Sequence, residues 1–285
     1  MKKKIIVLGS SGLLGTSLEK VLKTENNFYY SGITHADLEI TNTKEVNYVI
    51  NQLKPEIIIN AVALIGINAC ENDPYKTMSI NAFSVLELAK ICKEKKIIFA
   101  QTSTHAIFDG ENENSYYEND QPNPINIYGY SKLISEYFIK MNLNDFYIFR
   151  FPTMYGPRRN NAPGFVDKMI ARMKEGKDLK IAEDRMDSPS YAKNVAKKIK
   201  EILKNKYRYG IYHISDQGRI SYYDFISHLA KEINFTGKIF KAKDSEFKAL
   251  APNPLKVALD SKQGSTNIYW KDSVKMYVKD EGIIC

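Results

Sequence analysis

Cysteine, tryptophan and histidine are scarce in this 285-residue chain, at three, one and four residues. Cys70, Cys92 and Cys285 are odd in number, far apart and never in a Cys-x-x-Cys arrangement. A disulfide scaffold is excluded, and the pattern suits a reducing cytoplasm. The histidines show no ligand spacing, so no metal site is expected. Long apolar runs are missing as well, and a spanning helix needs about 18 such residues, so no membrane partner is expected. The lysine-rich start, Met1 to Lys4 followed by Ile5 to Leu8, imitates a signal peptide. Gly9, Ser10, Ser11 and Gly12 interrupt its apolar part, and no small-residue cleavage site follows. The expected location is therefore the cytoplasm. Arginine clusters are absent too. The net charge of +8 comes mainly from lysines spread along the chain, which reads as a solvated surface rather than a nucleic-acid footprint.

What remains is 44% hydrophobic and 26% charged, enough to bury a full α/β core. Short β-branched runs alternate with helical patterns. Strands are expected at Lys4–Leu8, Phe28–Ile33, Glu56–Asn60, Lys96–Gln101 and Phe146–Phe151. Helices are expected from the first glycines to Lys23, then at Thr43–Leu53 with Thr41 or Thr43 as the cap, at Pro74–Lys93 and at Asn126–Met141. Strands that are apolar throughout imply burial on both faces. The fold class is therefore α/β, a Rossmann-like doubly wound parallel sheet. Prolines 152, 157, 163, 189, 252 and 254 change the texture afterwards. Further helices fit Phe165–Lys174, Tyr191–Leu203 and Tyr222–Ile233, and a weak strand fits Gly210–Ile214. The organisation read from this is an NAD(P)-binding domain at 1–152 with a return segment at about 186–214. A smaller C-terminal substrate-binding portion would comprise 153–185 and 215–285.

Two local patterns carry chemistry. Gly9, Ser11, Gly12, Leu13, Leu14 and Gly15 follow the first strand and open the first helix. Glycine permits a tight turn there, and backbone N–H groups at a helix start suit a phosphate. The spacing is Gly-x-x-Gly-x-x-Gly. A dinucleotide site that prefers NAD places an acid about 20 residues on, at the end of the second strand. Thr34, His35 and Ala36 come there instead, with no acid before Asp37 and no nearby arginine to hold a 2′-phosphate. NADPH and NADH both stay open, with a lean to NADPH.

The second pattern is Tyr128-Gly129-Tyr130-Ser131-Lys132, which places a phenol one helical turn from an ammonium. A nearby cation favours proton transfer by the phenol. Chance alone would supply such a pair among 19 tyrosines, so its weight comes from its place after the fourth strand. Upstream, the Gln101 to Thr104 segment leaves a strand end with hydroxyls able to bond a substrate oxygen.

Together these residues resemble the extended short-chain dehydrogenase/reductases, and within them the dTDP-4-dehydrorhamnose reductases. The resemblance runs through Gly9–Gly15, Pro55–Ala63, Ser103–Gly110, Pro124–Lys132, Ser188–Ala192, Gly210–Ile214 and Ala251–Leu255. It implies a catalytic set of Thr104, Tyr128 and Lys132. It places Asp37 and Leu38 by the adenine, Asn60, Ala61, Val62 and Ala63 under the cofactor, and Phe151 and Thr153 near the nicotinamide, with Tyr128 and Lys132 also touching the cofactor. His105, Phe108 and Tyr155 are the expected substrate contacts. His105 stands where the family usually carries an acid. The implied activity is NAD(P)H-dependent reduction of a nucleotide-linked 4-keto-6-deoxy sugar, in deoxysugar biosynthesis for cell-surface polysaccharide. The resemblance also implies a homodimer through the helices at 74–93 and 126–141. An epimerase or dehydratase of the same superfamily, or a non-catalytic regulatory subunit, are the alternatives.

Overall fold

The computed structural model describes residues 2–160 and 162–285. In its first half strands and helices alternate: β1 (Lys3–Leu8), α1 (Leu13–Leu22), β2 (Phe28–Ile33), α2 (Thr43–Leu53), β3 (Ile57–Asn60), α3 (Ile67–Asn72), α4 (Pro74–Met78), α5 (Ser84–Lys95), β4 (Ile98–Thr104), α6 (Ile127–Asn142) and β5 (Phe146–Phe151). The second half holds β6 (Met154–Tyr155), α7 (Phe165–Lys174), β7 (Leu179–Ala182), β8 (Met186–Asp187), β9 (Ser190–Tyr191), α8 (Ala192–Lys204), β10 (Gly210–His213), β11 (Ile220–Ser221), α9 (Tyr222–Glu232), β12 (Ile239–Ala242) and α10 (Trp270–Glu281).

Six strands form one parallel sheet in the order β10-β5-β4-β3-β1-β2. The chain reverses its direction of growth at β1, which pairs with β2 on one side and β3 on the other. Such a reversal opens a crevice beyond the carboxyl ends of the strands. Leu8 is in register with both Ile33 and Asn60, and Thr104 with Phe151, so these strand ends share one rim.

Both faces of the sheet are covered. Ile5, Val7 and Ile59 pack with Leu14 and Leu18 of α1 and with Val195, Ile199 and Ile202 of α8. Ile6, Leu8 and Ile58 pack on the other face with Val46 and Ile50 of α2 and Leu88 and Ile91 of α5. Double coverage explains why the strands are apolar throughout. A third core joins α7, α9 and α10 through Val166, Ile170, Phe225, Ile226, Trp270 and Val274.

Two expectations are corrected. Asn42, not Thr41 or Thr43, caps α2: its side chain accepts the Glu45 N–H at 3.3 Å. The expected continuous helix at Pro74–Lys93 is interrupted by a π-helical turn at Ser79–Phe83. That turn carries the buried Asn81, whose amide bonds both the N–H and C=O of Leu64, at 2.8 and 2.9 Å, and Ser131 Oγ on α6 at 3.0 Å. The extra residue in the turn aims a polar side chain between two segments that need one.

Candidate active site

Two glycines shape the first wall of the crevice. Gly9 has φ +80°, and a Cβ there would lie 3.0 Å from the Ala61 backbone. At Gly15 a Cβ would come within 2.3 Å of the Gly9 carbonyl oxygen, so the start of α1 can sit close under the turn. The loop after β3 forms the opposite wall. Asn60 is fully buried; its amide donates to Gln101 at 2.9 Å and its carbonyl oxygen accepts the Val62 N–H at 3.1 Å. It orients Ala61–Ala63 without facing the cleft itself.

Between these walls lie two connected cavities. A smaller one, about 250 Å³, is lined by Gly9, Ser11, Gly12, Leu38, Ala61 and Val62, among others. The larger, about 640 Å³, brings together Leu13, Leu14, Ala63, Phe151 and Thr153 with Thr104, His105, Tyr128 and Lys132. Gly15 shapes the turn without lining either. Asp37 lines neither cavity: its carboxylate turns back to accept the backbone N–H and hydroxyl of Thr34 at 2.9 and 2.6 Å.

Tyr128 and Lys132 sit on the first turns of α6, whose start is fixed by Asn126, which accepts the Gly129 N–H at 2.9 Å. Burial pushes the Tyr128 phenol up to about 12, while the Thr104 hydroxyl pulls it down. The phenol is therefore protonated at neutral pH, the state a proton donor needs. Burial draws Lys132 down to about 8, with Glu136 holding it up. The Lys132 ammonium is buried with no hydrogen-bond partner among the described residues. An orphaned buried cation facing a cleft fits a hydroxylated ligand such as a cofactor ribose. Behind it, Glu136 pairs with Arg150 through two hydrogen bonds of 2.9 and 2.7 Å and accepts the Ser103 hydroxyl at 2.6 Å. Burial raises the Glu136 carboxyl, but these partners outweigh burial and keep it low.

A family model, the RmlD substrate binding domain, matches residues 2–282. The chain belongs to the RmlD family of extended short-chain dehydrogenase/reductases. Among relatives of this RmlD-family chain is a spore coat polysaccharide biosynthesis protein of Bacillus subtilis, 26% identical over 99% of both chains. The crystal structure of a dTDP-4-dehydrorhamnose reductase from Clostridium acetobutylicum superposes with a TM-score of 0.92 at 29% identity, covering 98% of this chain and 100% of the other. The Bacillus anthracis dTDP-4-dehydrorhamnose reductase, solved in complex with NADP, gives 0.90 at 26% identity, covering 98% and 100%.

Relative to the expected RmlD-family site, two side chains are displaced from the substrate set. Phe108 is fully buried and stacks on Tyr116 at 4.2 Å between ring centres. Tyr155 is buried in the C-terminal core, stacked with Tyr191 and edge-on to Tyr277. Neither lines the cleft, because both rings turn into packed cores. His105 does line it, and its Nδ1 lies 3.1 Å from Asp187 on β8. Asp187 is fully buried and also accepts the Thr153 N–H at 3.1 Å. Burial raises its carboxyl, but His105 and these hydrogen bonds hold it below the usual range. A carboxylate on Nδ1 fixes the imidazole orientation and leaves Nε2 as the free nitrogen.

Asp187 escaped the sequence reading although it directly precedes the Ser188–Ala192 block. Leu64 to Gly66 and Arg158 also line the cleft unforeseen, because nothing local marks a loop residue as cleft-facing. Among the described residues no helix is long and apolar enough to cross a membrane.

Proposed function

We propose that the protein is an NAD(P)H-dependent reductase of a nucleotide-linked 4-keto-6-deoxy sugar, serving polysaccharide biosynthesis in the cytoplasm. The observation that carries this is the convergence of Thr104, Tyr128 and Lys132 in one cleft with the glycine turn and the Ala61–Ala63 loop. The RmlD family and its reductase relatives supply the substrate class. The residues fit a dinucleotide: the turn permits close backbone approach, and Lys132 has an unanswered ammonium.

A bound dihydronicotinamide supplies hydride to the keto carbon. Thr104 and Tyr128 hold the carbonyl oxygen by hydrogen bonds. The Tyr128 phenol gives its proton to the oxygen as negative charge develops, and the Lys132 cation stabilises the phenolate left behind. Lys132 also holds ribose hydroxyls. His105, steadied by Asp187, offers Nε2 to a sugar hydroxyl. Leu38 and Val62 would border the adenine, and Phe151 and Thr153 the nicotinamide.

Exposed Phe83, Tyr130, Tyr137 and Met141 lie on or beside α5 and α6. They support a homodimer through those helices, since clustered apolar exposure marks association surfaces. The epimerase alternative is supported only at the level of fold.

The test is Tyr128→Phe, assayed by NADPH consumption with dTDP-4-keto-6-deoxy sugars. Turnover should fall by a hundredfold or more with cofactor affinity retained. Near-normal turnover in the variant, or wild-type product formation without net NADPH consumption, would remove the reductase reading.

A further inference from the structure

The loop after β6 lays a guanidinium against the glycine turn. The backbone N–H groups of Arg159 and Asn160 donate to the Ser11 carbonyl at 2.9 and 3.1 Å. The Arg159 side chain donates to the Ser10 carbonyl at 2.8 Å and meets Glu19 at 2.5 Å. With Ser10, Ser11, Glu19, Lys23, Tyr30 and Thr34 it lines a third cavity of about 480 Å³.

This cavity shares Ser11 and Thr34 with the smaller cavity that holds Leu38. In dinucleotide folds the adenosine ribose lies at this point, beside the end of the second strand. The groups around Thr34 therefore decide what the ribose 2′-position can carry. An acid directly after β2 would take the free hydroxyls and repel a phosphate. Thr34 stands there instead, and Asp37 lines neither cavity. The charged side chains lining the third cavity are Glu19, Lys23 and Arg159, a balance of one positive charge. Hydrogen bonding from Lys23, together with Arg159, keeps Glu19 ionised, so it neutralises one of the two cations and not both. The Tyr30 hydroxyl is buried with no hydrogen-bond partner among the described residues.

We propose that this cavity is a 2′-phosphate site and that Arg159 makes the protein selective for NADPH over NADH. The inference rests on the dinucleotide reading above and adds the residue that chooses between its two forms. A guanidinium presents parallel N–H donors that match phosphate oxygens, and a ribose hydroxyl cannot use them both. The Arg159 side chain is about half exposed, so it can turn from Glu19 toward a ligand while its backbone stays anchored on Ser11. Lys23 remains to hold Glu19. The cation comes from residue 159, more than a hundred positions beyond β2, so no search near the strand end would find it.

Equilibrium binding to the full-length protein tests this, with 2′,5′-ADP and 5′-ADP as probes and then NADPH and NADH. Wild type should bind 2′,5′-ADP at least tenfold more tightly than 5′-ADP, with the advantage shrinking as salt is raised. Arg159→Ala should remove most of that advantage while changing 5′-ADP binding by less than twofold. Arg159→Lys should keep part of it, since the charge survives and the fork does not. Equal wild-type affinity for the two ADP probes, or an advantage unchanged in Arg159→Ala, overturns the assignment while leaving the dinucleotide reading intact. Binding of neither probe and neither dinucleotide overturns both.

Discussion

Replacing Arg150 by methionine probes the buried support behind the catalytic helix. Arg150 is 1% exposed and Glu136 is fully buried, so the change leaves a carboxylate whose one remaining hydrogen-bond partner is Ser103, with Lys132 and Lys140 acting on it only through their charge. A carboxylate left alone at that depth takes up a proton rather than stay charged. Its ordinary value is 4.5. Holding it neutral at pH 7, two and a half units higher, costs about 3.5 kcal/mol at about 1.4 kcal/mol per unit. That agrees with the roughly 3–5 kcal/mol seen when one partner of a buried pair is removed. The cost is specific in its pH dependence. It should shrink to less than about 1 kcal/mol near pH 5, only half a unit above that ordinary value, where about a quarter of the unfolded chains already hold the proton. Relief of His213, which lies 3.3 Å from the Arg150 guanidinium and is drawn down to about 4 by burial and that cation, acts in the same direction. Urea unfolding of wild type, Arg150→Met and the double variant Arg150→Met/Glu136→Gln at both pH values is the assay. The double variant should recover much of the loss at pH 7. A loss below about 1 kcal/mol at pH 7, or an equal loss at pH 5, would refute the reasoning.

Two further outcomes follow from the cleft. With Lys132 drawn to about 8, kcat/KM of the free enzyme should fall as pH rises past that value. The same group should add stability over that range: between pH 8 and 10.5 the unfolded chain holds the proton and the folded one does not. A kcat/KM flat to pH 10 contradicts the role given to the ammonium. His105→Gln removes a substrate hydrogen bond steadied by a carboxylate. It should lower kcat/KM about tenfold to a hundredfold, mainly through KM, with NADPH affinity unchanged. An unaltered KM would reduce the His105–Asp187 pair to a tether between β4 and β8.

The parts of this molecule legible from sequence are those whose causes are local. Apolar runs such as Ile57–Asn60 state their own burial on both faces, and the glycines after β1 announce a turn that only small residues allow. The Tyr128–Lys132 pair follows from helical spacing alone. Ring direction did not: Phe108 and Tyr155 each border the cleft in sequence yet point into cores built by residues far along the chain. Asp187 and Arg159 were invisible for the same reason, since each acts on a segment 80 or more positions away. The cap of α2 differed by one residue because a threonine and an asparagine compete there on nearly equal terms. The π-helical turn at Ser79–Phe83 has no compositional mark, and its cause is a demand made by Leu64 and Ser131.

That turn has a mechanical consequence. Through one amide, Asn81 ties the floor of the cleft at Leu64 to the helix that carries Tyr128 and Lys132. A shift of the cleft floor at Leu64 is thereby passed directly to the helix that mounts the proton donor. The Arg159 segment and the strip around Asp187 are tied into the same cleft, the first through Ser10 and Ser11 and the second through His105 and Thr153, so lengthening either loop would disturb a wall of the site as well as its reach.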